Sequence, residues 1–152
     1  MERRFEEVEH TADIAIRVWG DNLAELFANA AYGMACQMAD PGTVARTTER
    51  LIELEAYDAE TLLVTWLGEL LYLSERDGCV FVDFDVHQVT PTYLRATARG
   101  GPAHEWRRHV KAATFSGLEI VHTGADADEA PSEWPIPADR LHPYEATIVF
   151  DV

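Results

Sequence analysis

The chain has 152 residues, 47% of them apolar and 10% aromatic, which suffices for one real core and excludes a disordered polar chain. Its formal charge of −15 repels phosphate backbones, so tight direct binding of RNA or DNA is disfavoured and a cation or a basic protein partner fits better, although acidity also serves plain solubility. No run of about 18 apolar residues marks a membrane span, no apolar stretch follows Met1-Glu2-Arg3-Arg4 to mark a signal peptide, and two cysteines make no disulfide scaffold, so a reducing cytoplasm is expected.

Phe5 to Val8 and Ile14 to Val18 read as strands, the second with Ile14, Ile16 and Val18 on one face before Gly20 breaks it. Asn22 followed three residues later by Glu25 is a capping pattern. Leu23, Leu26, Phe27, Ala30, Ala31, Met34 and Met38 then recur at helical spacing, so a helix should run to about Ala39, where Asp40-Pro41-Gly42 stops it. A strand follows within 44–56, with Ile52, Leu54 and Ala56 on one side and Leu51, Glu53 and Glu55 on the other. Asp58 is a good cap for a second helix, whose apolar stripe (Leu62, Leu63, Trp66, Leu67, Leu70, Leu71) reads as core and ends at Asp77-Gly78.

From Cys79 the period changes to two. Val80, Val82, Phe84 and Val86 are expected on one face, and Phe81, Asp83, Asp85 and His87 on the other. Thr90-Pro91-Thr92 turns the chain into a second strand, Tyr93 to Arg99. Short strands are expected at 110–115 and 118–121, then a polar, proline-bearing exposed loop at 122–143, then a final strand through Ala146, Ile148 and Phe150. Cys36 falls in the first helix and Cys79 at a strand start, so both are expected to be small buried thiols. The fold class that follows is α+β: a two-layer sandwich of one mixed sheet of five to seven strands with two helices on one face.

Two constellations carry chemical interest. Asp13 stands just before a strand, and Asp151 one residue before Val152. If the fold joins the two ends, Asp13, Asp151 and the carboxylate of Val152 supply hard oxygen ligands for a Ca²⁺- or Mg²⁺-like cation; otherwise both aspartates are ordinary exposed strand ends. The second is Lys111, the single lysine beside eleven arginines. An ammonium is a compact, titratable charge and does not replace a guanidinium, so Lys111 is a candidate for a specific role, unless it merely survives a composition bias.

Other chemistries find little support. His104 and His109 lack zinc-ligand companions, and Asp126-Ala127-Asp128-Glu129 lacks the glycine and distal glutamate of a calcium loop. No nucleophile elbow or phosphate-cradling glycine loop occurs. Arg107-Arg108-His109 is the one basic cluster, fit to dock an acidic patch or a phosphate, or simply to protect a strand edge.

Glu9-His10-Thr11-Ala12-Asp13-Ile14, Trp19-Gly20-Asp21, Leu62-Leu63 through Trp66-Leu67 and Glu69-Leu70-Leu71-Tyr72, Val110-Lys111-Ala112, and Phe150-Asp151-Val152 together resemble the archease family over nearly the whole chain. The resemblance implies one cytoplasmic domain, 1–152, without catalytic activity of its own. It implies a protein cofactor of the GTP-dependent tRNA-splicing RNA ligase, promoting guanylylation of the ligase's active-site histidine and repeated turnover, with tRNA engaged only indirectly. It also implies a divalent cation, calcium first and Mg²⁺ or Mn²⁺ as alternatives, held by Asp13, Asp151 and Val152, with Lys111, Asp13 and Asp151 acting on the partner. A monomer without membrane contact is expected. An alternative role for such proteins is chaperone or specificity modulator of a tRNA methyltransferase or another RNA-modifying enzyme. Phe115-Ser116 departs from the Tyr-His that many relatives carry there, and the 122–143 loop is long and rich in proline.

Overall fold

Asn22 and Asp58 start the two helices by giving oxygen to backbone N–H groups that have no partner in the first helical turn. The computed structural model describes residues 4–8, 14–115, 117–122 and 144–152. Helix α1 runs Leu23–Met38; the Asn22 side chain accepts from the Glu25 N–H at 2.9 Å, and the Glu25 carboxylate accepts in return from the Asp21 N–H at 3.2 Å. Helix α2 runs Ala59–Asp77; the Asp58 carboxylate accepts from the Thr61 N–H at 2.8 Å, and Gly78 closes the helix in the left-handed conformation (φ 66°) that glycine adopts without strain.

The strands are β1 (Phe5–Val8), β2 (Ile14–Gly20), β3 (Thr48–Glu55), β4 (Cys79–Thr90), β5 (Tyr93–Pro102), β6 (Ala112–Thr114), β7 (Val121–His122) and β8 (Tyr144–Asp151). The expected α+β class and its two helices are present. Where one mixed sheet was expected, these strands divide between two sheets, and every pairing among the described residues is antiparallel. One sheet has the order β1-β2-β8-β6, with β7 also on β8, and the other is β3-β5-β4. Alternation along a strand assigns faces but not partners, which is why the division was not legible. Each helix packs on both sheets: α1 touches β1, β2 and β8 on one side and β4 on the other, and α2 touches β3, β4 and β6.

The alternation in β4 is inverted part-way. A bulge between Phe81 and Asp83 adds a residue to this strand, so Val80 and Val82 pack with Ala35, Ala39 and Val44, whereas Phe81, Phe84 and Val86 join the main core. The uniform face expected for Val80, Val82, Phe84 and Val86 is therefore corrected. Gly100 in β5 faces this region; a Cβ there would lie 1.9 Å from the Val80 carbonyl oxygen, so only glycine lets the two backbones approach. Two further expectations change. Residues 118–120 form no strand, because the Leu118 N–H donates to the Phe115 carbonyl and the Ile120 N–H to the Glu60 carboxylate. Cys36 is only half-buried, while Cys79 is buried and its thiol is pushed up chiefly by that burial. The loop expected at 122–143 begins after β7 and otherwise lies outside the described residues.

The main core draws on both helices and both sheets. Phe27, Trp66, Leu94, Ile148 and Phe150 have no exposed surface. Trp66 ties three elements together: its indole N–H donates to the Phe27 carbonyl of α1 at 3.0 Å, and its ring meets Phe84 of β4 edge-on at 6.0 Å. Truncation to alanine leaves a cavity and removes the indole's hydrogen bond, so Trp66→Ala is expected to destabilise by about 3–5 kcal/mol, with denaturant unfolding as the check; a loss under about 1 kcal/mol contradicts this account of the core. A second prediction concerns acid. The hydrogen bond from Thr61 is the main reason that the Asp58 carboxyl sits below its ordinary range. The folded state therefore binds this proton more weakly than the unfolded chain. The cap's contribution is full above the ordinary carboxylate range and is lost as pH falls through the lowered folded value. Asp58→Asn keeps an acceptor without a titration, so its melting temperature should fall less steeply with acid than the parent's.

Candidate functional site

Phe150 is fully buried on the core face of β8 together with Ile148 and Ala146, so the chain is gripped up to this residue and Asp151 and Val152 emerge beyond the core. On one side of β8, Ile14 of β2 pairs with Phe150. On the other, Ala112 of β6 pairs with Asp151, and the Lys111 N–H donates to the Asp151 carbonyl at 2.8 Å. Asp13 lies outside the described residues. The described chain reaches Ile14, covalently next to it, and Ile14's partner is covalently next to Asp151. Of the residues singled out in the sequence, the structure thus brings together Lys111, Asp151 and Val152.

All three are exposed, and neither the Lys111 nor the Asp151 side chain makes an ion pair among the described residues. The side chain of Asp151 offers oxygen donors of the hard type that Ca²⁺ or Mg²⁺ takes. His104 and His109 are exposed, and no three His, Cys, Asp or Glu side chains gather into a metal site among the described residues. Phe115, the first of the two departures from family pattern, is 56% exposed, and Ser116 lies outside the described residues.

Arg107 anchors the approach to Lys111. Its guanidinium donates to the Cys36 carbonyl at 3.0 Å and its backbone N–H to the Met38 carbonyl at 2.7 Å, both near the C-terminal end of α1, while Trp106 bridges to Ala39. This arrangement satisfies carbonyls that the last turn of the helix leaves open. The basic cluster is thus neither a ladder-edge guard nor wholly free: one of its two arginines is structural.

Between this segment and α2 lies an open groove of about 450 Å³ that the sequence did not reveal. Gly68, Leu71, Tyr72 and Glu75 line it from α2, Trp106, His109 and Lys111 from the opposite wall. Trp106 directly before Arg107-Arg108 was the available signal, an aromatic beside the only basic cluster in an acidic chain.

The chain matches the sequence profile of the Archease protein family (MTH1598/TM1083) over residues 5–152. It belongs to the archease family. It is 38% identical over 129 residues to the protein archease of Methanosarcina acetivorans, covering 80% of this chain and 88% of that one. It is 39% identical over 125 residues to the protein archease of Pyrococcus furiosus, covering 78% and 88%. The solution structure of Methanobacterium thermoautotrophicum protein 1598 superposes with a TM-score of 0.73 at 30% identity, over 99% of this chain and 100% of that one. An archease from Thermotoga maritima, described as a possible chaperone, shares the fold (TM-score 0.57, 19% identity, 97% and 96% covered). No helix among the described residues of this archease-family chain is long and apolar enough to cross a membrane.

If Arg107 fixes the wall that carries Lys111, Arg107→Ala should raise amide hydrogen exchange across 106–111 and leave the melting temperature within a few degrees, because the bond lost is exposed. Unchanged exchange in that stretch would show that Trp106 and Val110 hold it without the arginine.

Proposed function

We propose that this archease-family chain activates a GTP-dependent tRNA-splicing RNA ligase, promoting guanylylation of the ligase and its repeated turnover, without carrying out catalysis itself. One observation carries the reading: Lys111 and Asp151, both unpaired by ions among the described residues, are joined backbone to backbone at the exposed end of one sheet. A lone ammonium beside a carboxylate tip suits pairing with charged groups of another protein's site. In this reading Asp13, Asp151 and Val152 hold a divalent cation, calcium first and Mg²⁺ or Mn²⁺ as alternatives. The cation supplies a concentrated positive charge at the tip. Lys111 pairs with a phosphate or a carboxylate of the ligase, and the charge of −15 steers the protein toward a basic, RNA-binding partner in the cytoplasm, so that tRNA is met only through the ligase. The protein acts as a monomer and a single domain.

The test is single-turnover guanylylation of the ligase by labelled GTP, with and without substoichiometric amounts of this protein. The expected result is strong acceleration, reduced at least about tenfold by Asp13→Ala, Lys111→Ala or Asp151→Ala, each removing a charged contact of about 1.5–3 kcal/mol. Calcium binding by calorimetry should fall with Asp13→Ala and Asp151→Ala but not with Lys111→Ala. Full stimulation by folded variants would falsify the residue assignment. A second reading draws on the Thermotoga protein's description as a possible chaperone: assistance to another RNA-modifying enzyme, such as a tRNA methyltransferase. Capture from extract distinguishes the two by the enzyme retained, ligase or methyltransferase.

A further inference from the structure

Gly68 sits in the middle of α2, where glycine is about 1 kcal/mol worse than alanine for helix stability, and a Cβ placed there would meet nothing within 4 Å. Packing therefore gives no reason for the glycine. What it does is keep the floor of the groove open. On the walls stand two exposed aromatic side chains, Tyr72 (57% exposed) and Trp106 (50%). The Arg76 guanidinium lies over the Tyr72 ring at 5.8 Å, whereas no ring or cation covers Trp106 among the described residues.

The charge in the groove is equally pointed. Arg4, Arg17, Arg46, Arg50, Arg76 and Arg99 each form an ion pair. Among the described residues, Arg95 on β5 forms none and Arg107 donates to the Cys36 carbonyl instead; although the chain carries 27 acids that could neutralise them, no ion pair is formed by Arg108 or Lys111 either. His109 stands between them. An acidic protein that leaves two unpaired cations in one short segment, one of them on a groove wall, presents a site for an anion. On the opposite wall the Glu75 carboxylate, also without an ion pair among the described residues, can accept N–H groups.

We propose that this groove binds a mononucleotide, its base against Trp106 and above Gly68, its phosphate at Lys111 and His109, and a base N–H on Glu75. A flat ring with N–H donors and an anionic end matches each wall in turn, and a groove of about 450 Å³ is in the size range of small-molecule sites, roughly 300–1,000 Å³. The overall charge argues for a free nucleotide and against a longer strand, since each added phosphate outside the groove meets an acidic surface. The inference rests on the groove and is independent of ligase activation: the experiment uses this protein alone.

Purified protein is titrated with AMP, GMP, inorganic phosphate and a trinucleotide RNA in metal-free buffer, read by calorimetry and tryptophan fluorescence. AMP or GMP should bind saturably, with quenching, and inorganic phosphate at least about tenfold more weakly, because base stacking is lost. Trp106→Leu should weaken the nucleotide by about tenfold and remove the quenching. Gly68→Leu should abolish binding while the protein melts no lower than the parent, because leucine is the better helix former and fills the floor. Undiminished binding by Gly68→Leu, or absence of saturable binding by the parent at millimolar nucleotide, overturns the proposal. Tighter binding of the trinucleotide than of either mononucleotide overturns it in favour of an RNA end.

Discussion

The pairing of β2 with β8 is the constraint on which the rest depends. It runs over seven residue pairs, from Ile14 with Phe150 to Gly20 with Tyr144. Its core-facing side chains, Ile16, Val18, Ala146, Ile148 and Phe150, are all essentially buried, and α1 packs on the same strands. A slip of one residue would turn every one of these side chains to the opposite face. The register is therefore fixed by burial, and with it the position of Asp151 opposite Ala112 and within backbone reach of Lys111. The candidate site inherits its geometry from hydrophobic packing one residue away, and its own side chains stay in solvent.

The two sheets divide the labour. The β3-β5-β4 sheet carries a solvent face of compensated charge: Arg99 bonds to both Glu49 and Asp85, and Arg46 pairs with Asp83. Exposed pairs of this kind contribute little stability. At the other sheet, near its β6 end, Arg108, Lys111 and Asp151 have no ionic partners among the described residues.

The local rules of the sequence were reliable where a single element decides the outcome. Asn22 and Asp58 cap as their types require, Gly78 ends α2, and Ile52 and Leu51 fall on the buried and exposed faces that their alternation assigned. The failures share a cause. The bulge in β4, the loss of strand at 118–120 and the split into two sheets each depend on a partner distant in sequence: Gly100 opposite Phe81, Glu60 beneath Ile120, β8 beside β2. The site shows the same contrast. Lys111 and Asp151 stood out by rarity and position, but the groove needed α2 and the 106–113 segment to be side by side, and no periodicity encodes that juxtaposition.

The β2–β8 pair also shapes the route by which the chain folds. The β4–β5 hairpin joins residues that are near in sequence through the turn at Thr90–Tyr93, so it closes at small entropic cost. Ile14 and Phe150 are more than a hundred positions apart, and the order lost in closing that span is compensated only when both strands dock on α1 and the assembled core. The strand that carries Asp151 thus closes the longest span of the sheet, and its ladders with β6 and β7 are only three and two residue pairs long. Short ladders of this kind open at lower free energy than the packed core, so the tip is tied to the fold through the β2–β8 pairing.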